Sequence, residues 1–267
     1  MKKLGLIVLV AGIILMAGCA GDDPSGPGGT LPTVTGLEVL TTSSGVTVNL
    51  SWTAVSGTTI DGYEVYFKSD GEGEWGTAIT TVTETTYSHT ADNAGTYSVR
   101  AYDGDNYSEN YAIDVTTMPT FISPLYTIWN NHAPADEHSG IIFGATAATT
   151  GLAGSTSFDQ DIYCYDGEQG SYTWFYSGDH APFGNGSHTD MYEHASNFAY
   201  PTGSAWEAGA MVVGDVIFAE LSNGHYVKIY VDALPHYEGG TSNAYGITLY
   251  YDYQPIQGLY LFSTDAS

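Results

Sequence analysis

Apolar residues alternate with polar ones over several runs in the first half of this 267-residue chain. In the clearest run Val48, Leu50 and Trp52 occupy every second position, and the polar residues Asn49 and Ser51 lie between them. Side chains of a β-strand point alternately to its two faces, so this spacing predicts a strand with one buried face. Three further runs place Tyr63, Val65 and Phe67, then Tyr97, Val99 and Ala101, then Tyr111, Ile113 and Val115 on a core-facing side.

The second half of the chain also favours strands, because no segment after residue 121 sustains the 3.6-residue apolar period of a helix. Its clearest unit joins the apolar runs 212–221 and 225–231 through Ser222-Asn223-Gly224, and Asn-Gly predicts a two-residue hairpin turn. A further strand is expected over 244–253, and residues 258–262 are expected to close this second unit. The predicted fold class is therefore all-β: an N-terminal β-sandwich over 31–118 and a second antiparallel β-rich domain over 121–267.

The N-terminus, MKKLGLIVLVAGIILMAGC, has two lysines, an apolar run and a small-residue exit, as secretory signals do. A membrane-spanning helix needs ~20 apolar residues, and polar chain follows here at once. The end of the segment, from Met16 to Cys19, resembles the bacterial lipoprotein signal, whose cysteine is acylated. This resemblance implies a signal peptide at 1–18, lipidation of Cys19 and a place in the bacterial cell envelope, at the outer membrane or cell surface. The Gly-, Pro- and Ser-rich residues that follow predict a lipidated flexible tether over 19–30.

Charge limits the partners that such a chain can have. Asp and Glu number 30 against 5 Lys and Arg, and the formal net charge is -25. Since Lys2 and Lys3 lie in the signal segment, only Lys68, Arg100 and Lys228 remain as basic residues of the body. Such a surface repels phosphate backbones, which excludes nucleic acid as a partner. We expect contact with the membrane through the lipid anchor.

Several segments of the first domain resemble the fibronectin type III pattern over the whole of 31–118. They are Leu50-Ser51-Trp52, GYEVY at 62–66, GTYSVRA at 95–101 and DVTT at 114–117. The resemblance implies an immunoglobulin-like β-sandwich with Trp52 as a core anchor and Tyr97 as the corner tyrosine. The sequence contains no Arg-Gly-Asp tripeptide. We therefore expect this domain to be a spacer.

Residues 212–256 resemble the HmuY-like family, which includes haem-binding lipoproteins. The shared segments are GDVIF at 214–218, NGHYVKI at 223–229 and YGITLYYDYQP at 245–255. They are scaffold segments, and no ligand of that family matches a position here. The resemblance implies a β-fold and makes haem one candidate ligand, while no cofactor is assigned.

Haem requires one or two axial donors, most often His or Met, in an apolar pocket. His180, His188, Met191 and His194 fall in one Gly- and Ser-rich stretch, which we expect to be a loop. They are the candidate ligand set, and exposed loop histidines without a ligand are the alternative.

Flat aromatic faces that could stack against sugar rings are the second kind of candidate site. Trp174 and Trp206 are the leading residues, with Trp129 and the aromatic residues at 172, 175 and 176 beside them. Aromatic strands that simply form a core are the alternative.

Metal binding stays open. His132 with Asp136, Glu137 and His138 fits no zinc spacing. Likewise the acidic loop at 103–109 lacks the EF-hand spacing, so a solvated turn is its alternative.

Catalysis is not expected, because the chain lacks Gly-x-Ser-x-Gly, His-Glu-x-x-His, Walker A and dinucleotide motifs. Cys164 lies in an apolar, aromatic run and is expected to be a buried, inert thiol. The sequence thus predicts a non-enzymatic envelope lipoprotein whose spacer displays a C-terminal domain for ligand binding or adhesion. The expected partner is a small ligand, a glycan or an envelope protein, and a purely structural role is the alternative.

Overall fold

The computed structural model describes residues 31–69, 72–119, 121–167, 172–183 and 185–264. The predicted signal peptide, the tether and Cys19 lie outside these residues. The described residues form strands, turns and loops without a helix, which confirms the all-β prediction. Within the same residues, no helix has the length and apolar character needed to cross a membrane.

Residues 35–116 form two antiparallel sheets, called here the first sandwich. The strands are β1 (Thr35–Val39), β2 (Thr47–Thr53), β3 (Gly62–Ser69), β4 (Thr80–Val82), β5 (Thr86–Thr90), β6 (Gly95–Asp103), β7 (Asn106–Tyr107) and β8 (Val115–Thr116). One sheet has the order β1-β2-β5, and the other has the order β4-β3-β6-β7 with β8 also paired to β6.

The predicted alternation is observed in β2. Val48, Leu50 and Trp52 are buried, while the residues between them are only partly buried. Trp52 meets Tyr63 of the opposite sheet edge to face, with ring centroids 5.5 Å apart. Trp52 and Tyr97 are both buried in one core cluster.

The strand predicted over 111–115 is shorter than predicted, and Ile113 does not face the core. Only Val115 and Thr116 form a strand there, and the side chain of Ile113 is 90% exposed. Ala112 is buried instead, because its backbone N–H donates to Val99 O and its carbonyl accepts from the Ser98 hydroxyl. These hydrogen bonds fix Ala112 at the core, whereas Val115 packs on the core cluster as predicted.

The second sandwich consists of a five-stranded and a six-stranded antiparallel sheet. Its strands are β9 (Tyr126–Trp129), β10 (Gly140–Ile142), β11 (Thr149–Gly151), β12 (Ile162–Tyr165), β13 (Trp174–Ser177), β14 (Asp190–His194), β15 (Pro201–Trp206), β16 (Ala208–Ala210), β17 (Val216–Glu220), β18 (Tyr226–Ala233) and β19 (Gly246–Tyr253). The strand orders are β11-β10-β12-β13-β16 and β15-β14-β17-β18-β19-β9.

The inner faces of these two sheets share one hydrophobic core. Ile162, Cys164 and Phe175 come from the five-stranded sheet, and Ile229 and Tyr251 come from the six-stranded sheet. The thiol of Cys164 is fully buried, as predicted, and burial raises its pKa. A neutral thiol in this setting acts as a small apolar side chain.

The hairpin predicted around Asn223-Gly224 is present, but its turn is longer than predicted. Strands β17 and β18 pair antiparallel, and Leu221 N–H donates to His225 O across the turn. Gly224 has a φ of 77°, whereas Asn223 is not among the residues with positive φ. Two-residue Asn-Gly turns of the predicted kind need positive φ at both positions, so this turn is a three-residue loop with a left-handed glycine.

Residues 258–262, called here the terminal segment, do not simply close the second sandwich as predicted. Leu259 and Leu261 are fully buried in the core of the first sandwich. Phe262, the residue after Leu261, packs on Phe218 of β17 instead. Each face of the terminal segment is therefore buried against a different sandwich.

Candidate functional site

The stretch predicted to be a loop with four ligands contains a strand. Met191 and His194 both lie in β14, which pairs with β15 and β17. Met191 is fully buried in the core of the second sandwich, so its sulfur is not presented to a ligand. The alternation of β14 carries this side chain inward, which the Gly- and Ser-rich composition around it did not indicate.

His180 and His188 lie in the loop between β13 and β14, where each has its own partners. Nδ1 of His180 lies 2.7 Å from Ala181 O, and its ring packs on Tyr176. The half-exposed ring of His188 lies between two carboxylates, with Nδ1 2.9 Å from Asp179 and Nε2 3.4 Å from Asp190. The hydrogen bond to Asp179 raises the pKa of His188. These contacts place the two histidines apart from the core position of Met191.

The three tryptophans of the second sandwich do not form one platform. Trp129 and Trp206 lie in β9 and β15, which are the opposite ends of the six-stranded sheet. Trp174 lies in β13 of the other sheet and stacks on Tyr176, with centroids 6.0 Å apart. Phe175, which was grouped with them, is a core residue.

Trp206 and His194 meet at a cavity of about 510 Å³, called here the edge cavity. It lies where β14, β15 and the start of β17 face the edge strand β16. Trp206 ends β15 and Ala208 begins β16, so the chain crosses between the two sheets at this point. Of the six predicted site residues, these two line the cavity.

Trp206 forms an aromatic wall of the edge cavity, and its position depends on small neighbours. Strand β16 consists of Ala208, Gly209 and Ala210, which leave room beside the indole ring. A Cβ atom at Gly209 would lie 2.8 Å from Cζ3 of Trp206, closer than real Cβ contacts come. Glycine at this position therefore allows the ring to pack against the backbone of β16.

The imidazole of His194 packs against the ring of Phe198. The two rings stack with centroids 4.2 Å apart. Nδ1 of His194 lies 2.9 Å from Ala195 O, and because a carbonyl oxygen only accepts, Nδ1 carries a proton. When the ring is neutral, this arrangement leaves Nε2 as an acceptor.

Phe198 has a φ of 57°, a left-handed conformation that bulky residues rarely adopt. The turn between β14 and β15 thus keeps its aromatic ring against His194 at some cost in backbone strain.

Two carboxylates that the sequence reasoning did not single out also line the edge cavity. Glu193 and His194 are neighbours in β14, and both line the cavity. Beside them the register of the β14–β15 pair shifts, and the extra residues of this irregularity lie in β15. Asp215 precedes β17, and its Oδ2 accepts a 2.7 Å hydrogen bond from the backbone N–H of Val212. The described wall contains neither lysine nor arginine. One signal in the sequence was available: a tryptophan followed closely by Ala-Gly-Ala leaves space beside a large flat ring.

Metal chemistry gains no support from the clusters considered above. Among the described ranges, no group of three or more His, Cys, Asp and Glu side chains is placed to hold a metal ion. His132 Nε2 pairs with Asp166 at 3.1 Å, and Glu137 accepts a 2.7 Å hydrogen bond from the Tyr237 hydroxyl. His138 contacts Thr150. His132, Glu137 and His138 each have a polar partner of their own in the structure.

A scan against protein-family models finds no family that matches the chain, and a search of curated proteins finds no match either.

Proposed function

We propose that this protein is a non-enzymatic cell-envelope lipoprotein that binds a glycan in the edge cavity of its second sandwich. The observation that carries the proposal is the meeting of Trp206, His194, Glu193 and Asp215 around one open space. A tryptophan face provides an apolar surface for the C–H groups of a sugar ring. Carboxylate oxygens and an imidazole nitrogen accept hydrogen bonds from its hydroxyl groups.

Haem is a weaker candidate on this geometry. Met191 belongs to the core, and His180 and His188 have partners in a loop, so the predicted ligand set is not assembled. His194 is the one member of that set at the edge cavity. Two carboxylates beside it would also repel the propionates of haem.

The envelope location rests on the sequence of the first nineteen residues. Lipid anchoring at Cys19 would hold the protein on the membrane, since durable residence needs more than one acyl chain and lipoprotein modification supplies that. The first sandwich, with its resemblance to fibronectin type III domains, would then carry the edge cavity away from the bilayer.

Glycan binding is tested by calorimetric titration of the full-length protein, purified in detergent, with a panel of oligosaccharides. Binding is expected for the wild type and should be lost in Trp206→Ala. Trp75→Ala is the matched control, because Trp75 is a partly buried tryptophan of the first sandwich that packs on Tyr66. A panel without any binding partner, or binding that survives in Trp206→Ala, would contradict the proposal.

Haemin is added to the same preparation as a competing ligand. A Soret shift that disappears in His194→Ala would replace the glycan by haem at this cavity. An unchanged spectrum agrees with the glycan proposal.

A further inference from the structure

Two negatively charged carboxylates line the edge cavity. Glu193 and Asp215 contribute these carboxylates, whose oxygens accept hydrogen bonds. The hydrogen bond from Val212 N–H occupies one site on Asp215, and a carboxylate has about four such sites, so it keeps the capacity to accept from a ligand.

The basic residues of the described chain are engaged elsewhere. Lys68 lies over the ring of Trp75 at 4.4 Å, and Arg100 donates to Ser108 O. Lys228 is fully buried and donates to Ser263 O. The cavity carboxylates therefore face the open space without an internal cation to neutralise them.

We infer that the edge cavity selects amino sugars with free, protonated amines over their neutral N-acetylated counterparts. This inference rests on the proposed glycan site and adds the chemical class of its ligand. An ammonium group has three donors and no acceptor, which complements the two carboxylates that line the cavity. The ring of an amino sugar can stack on Trp206 in the same way as the ring of a neutral sugar. The attraction between the ammonium group and the carboxylates then adds to the stacking.

The charge of the whole chain acts in the same direction. A formal net charge of -25 attracts cations from solution and raises their concentration at the surface. This attraction is not specific to the cavity, and salt screens it within a Debye length of about 8–10 Å. Specificity must therefore come from the local carboxylates, and the experiment has to separate the two effects.

The probes are a glucosamine tetramer and the N-acetylglucosamine tetramer of the same linkage, which differ only in their amines. We expect the deacetylated tetramer to bind the full-length protein about tenfold more tightly at low salt, a typical effect of one or two close charge pairs. This advantage should shrink in 0.5 M salt, used as about three times physiological ionic strength.

Two double variants locate the effect. Glu193→Gln with Asp215→Asn removes the cavity carboxylates and should abolish the advantage of the amine. Glu84→Gln with Glu109→Gln removes the same charge from exposed positions of the first sandwich and should preserve it. Thermal unfolding of each variant shows whether the fold is intact.

The outcomes distinguish the inference from the function on which it rests. Equal binding of the two tetramers overturns the preference for amines while leaving the glycan site in place. An advantage that persists in Trp206→Ala or in the cavity double variant assigns it to the overall charge and overturns the inference. Absence of binding by both tetramers and by the oligosaccharide panel rejects the glycan site itself.

Discussion

The first and second sandwiches are both two-layered antiparallel structures, but they differ in how regularly their strands alternate. In β2 of the first sandwich, buried and less buried residues alternate without interruption through Trp52. In β14 of the second sandwich burial does not alternate beyond Met191, and the neighbours Glu193 and His194 both line the edge cavity. A regular strand divides its residues between core and solvent, whereas an irregular edge can direct adjacent side chains to one ligand. The candidate site thus lies beside the irregular β14–β15 pair, and not beside the regularly alternating β2.

The two sandwiches are also less separate than the sequence predicted. Ala94 N–H of the first sandwich donates to Phe262 O, and Gln254 of the second donates to both Thr117 O and Leu261 O. The terminal segment thus completes the core of the first sandwich while it is hydrogen-bonded to the second. Because the two sandwiches share core residues and hydrogen bonds, the first sandwich fixes the position of the terminal segment beside the second.

The largest effect is expected when the terminal segment loses a core side chain. Leu261→Ala should lower the free energy of unfolding by about 2–5 kcal/mol, because it leaves a cavity in the first sandwich. Urea denaturation of the full-length protein measures this. Ile113→Ala removes an exposed apolar side chain of similar size and should change stability by less than about 0.5 kcal/mol. Equal, small effects of the two substitutions would show that the first sandwich does not depend on the terminal segment.

Asp161, a buried residue of the second sandwich, should make the free energy of unfolding depend on pH. Burial raises its pKa to about 6, although the Phe143 N–H that donates to Oδ2 opposes the shift. Because the folded pKa is raised, the stabilising contribution of the protonated form is complete below the unfolded value and is lost as pH rises through about 6. Asp161→Asn keeps an acceptor for Phe143 without a charge. It should therefore be more stable than the wild type at pH 8, on the order of 2 kcal/mol, and similar to it near pH 4.

The pH series of denaturation midpoints for wild type and Asp161→Asn checks this sign. Asp114→Asn in the first sandwich is the control, since burial also raises its pKa but nearby Lys68 opposes the shift. A wild type that gains stability relative to Asp161→Asn as pH rises would contradict the account.

Much of the fold was predictable because the apolar residues at every second position of β2, β3 and β6 belong to or pack on one core cluster. The rest was not predictable, because it depends on backbone hydrogen bonds and long-range packing rather than on the alternation of apolar residues. Ile113 is exposed because backbone hydrogen bonds, rather than its hydrophobicity, fix the phase of its neighbours. The terminal segment packs on two sandwiches, a long-range choice that local sequence does not encode.

The candidate site was predictable only in part. Trp206 and His194 were chosen for their chemistry, and the structure places both at one cavity. Met191 was chosen in the same way and is a core residue. Glu193 and Asp215 carried no signal, because acids are common throughout a chain with 30 of them.

A smaller effect is expected at Gly209. Gly209→Ala should force the Trp206 ring away from β16 and cost about 1–3 kcal/mol of stability through overpacking. It should also weaken oligosaccharide binding, because the stacking face moves. Gly73→Ala is the control, since a Cβ there meets no atom within 4 Å. Calorimetric binding and urea denaturation of both variants provide the comparison, and identical behaviour would show that Gly209 does not position the indole.

The smallest effect is expected at His188, whose pKa is raised by the hydrogen bond to Asp179. The raised pKa means that its stabilising contribution is present below the unfolded pKa and is lost as pH rises through the folded pKa. The pair is about half exposed, so solvent screens it and His188→Ala should cost at most about 0.5 kcal/mol at pH 5. Chemical denaturation at pH 5 and pH 8 measures the change. A loss larger at pH 8 than at pH 5 would contradict the assignment.

The most direct test of glycan binding in the edge cavity is an NMR titration of the indole N–H signals of the five tryptophans. The Trp206→Phe variant identifies the Trp206 signal by its disappearance. On addition of an oligosaccharide that binds, the account predicts a large shift of that signal and none for Trp52, which lies in the core of the first sandwich. A titration in which another tryptophan shifts while Trp206 stays unchanged would contradict it.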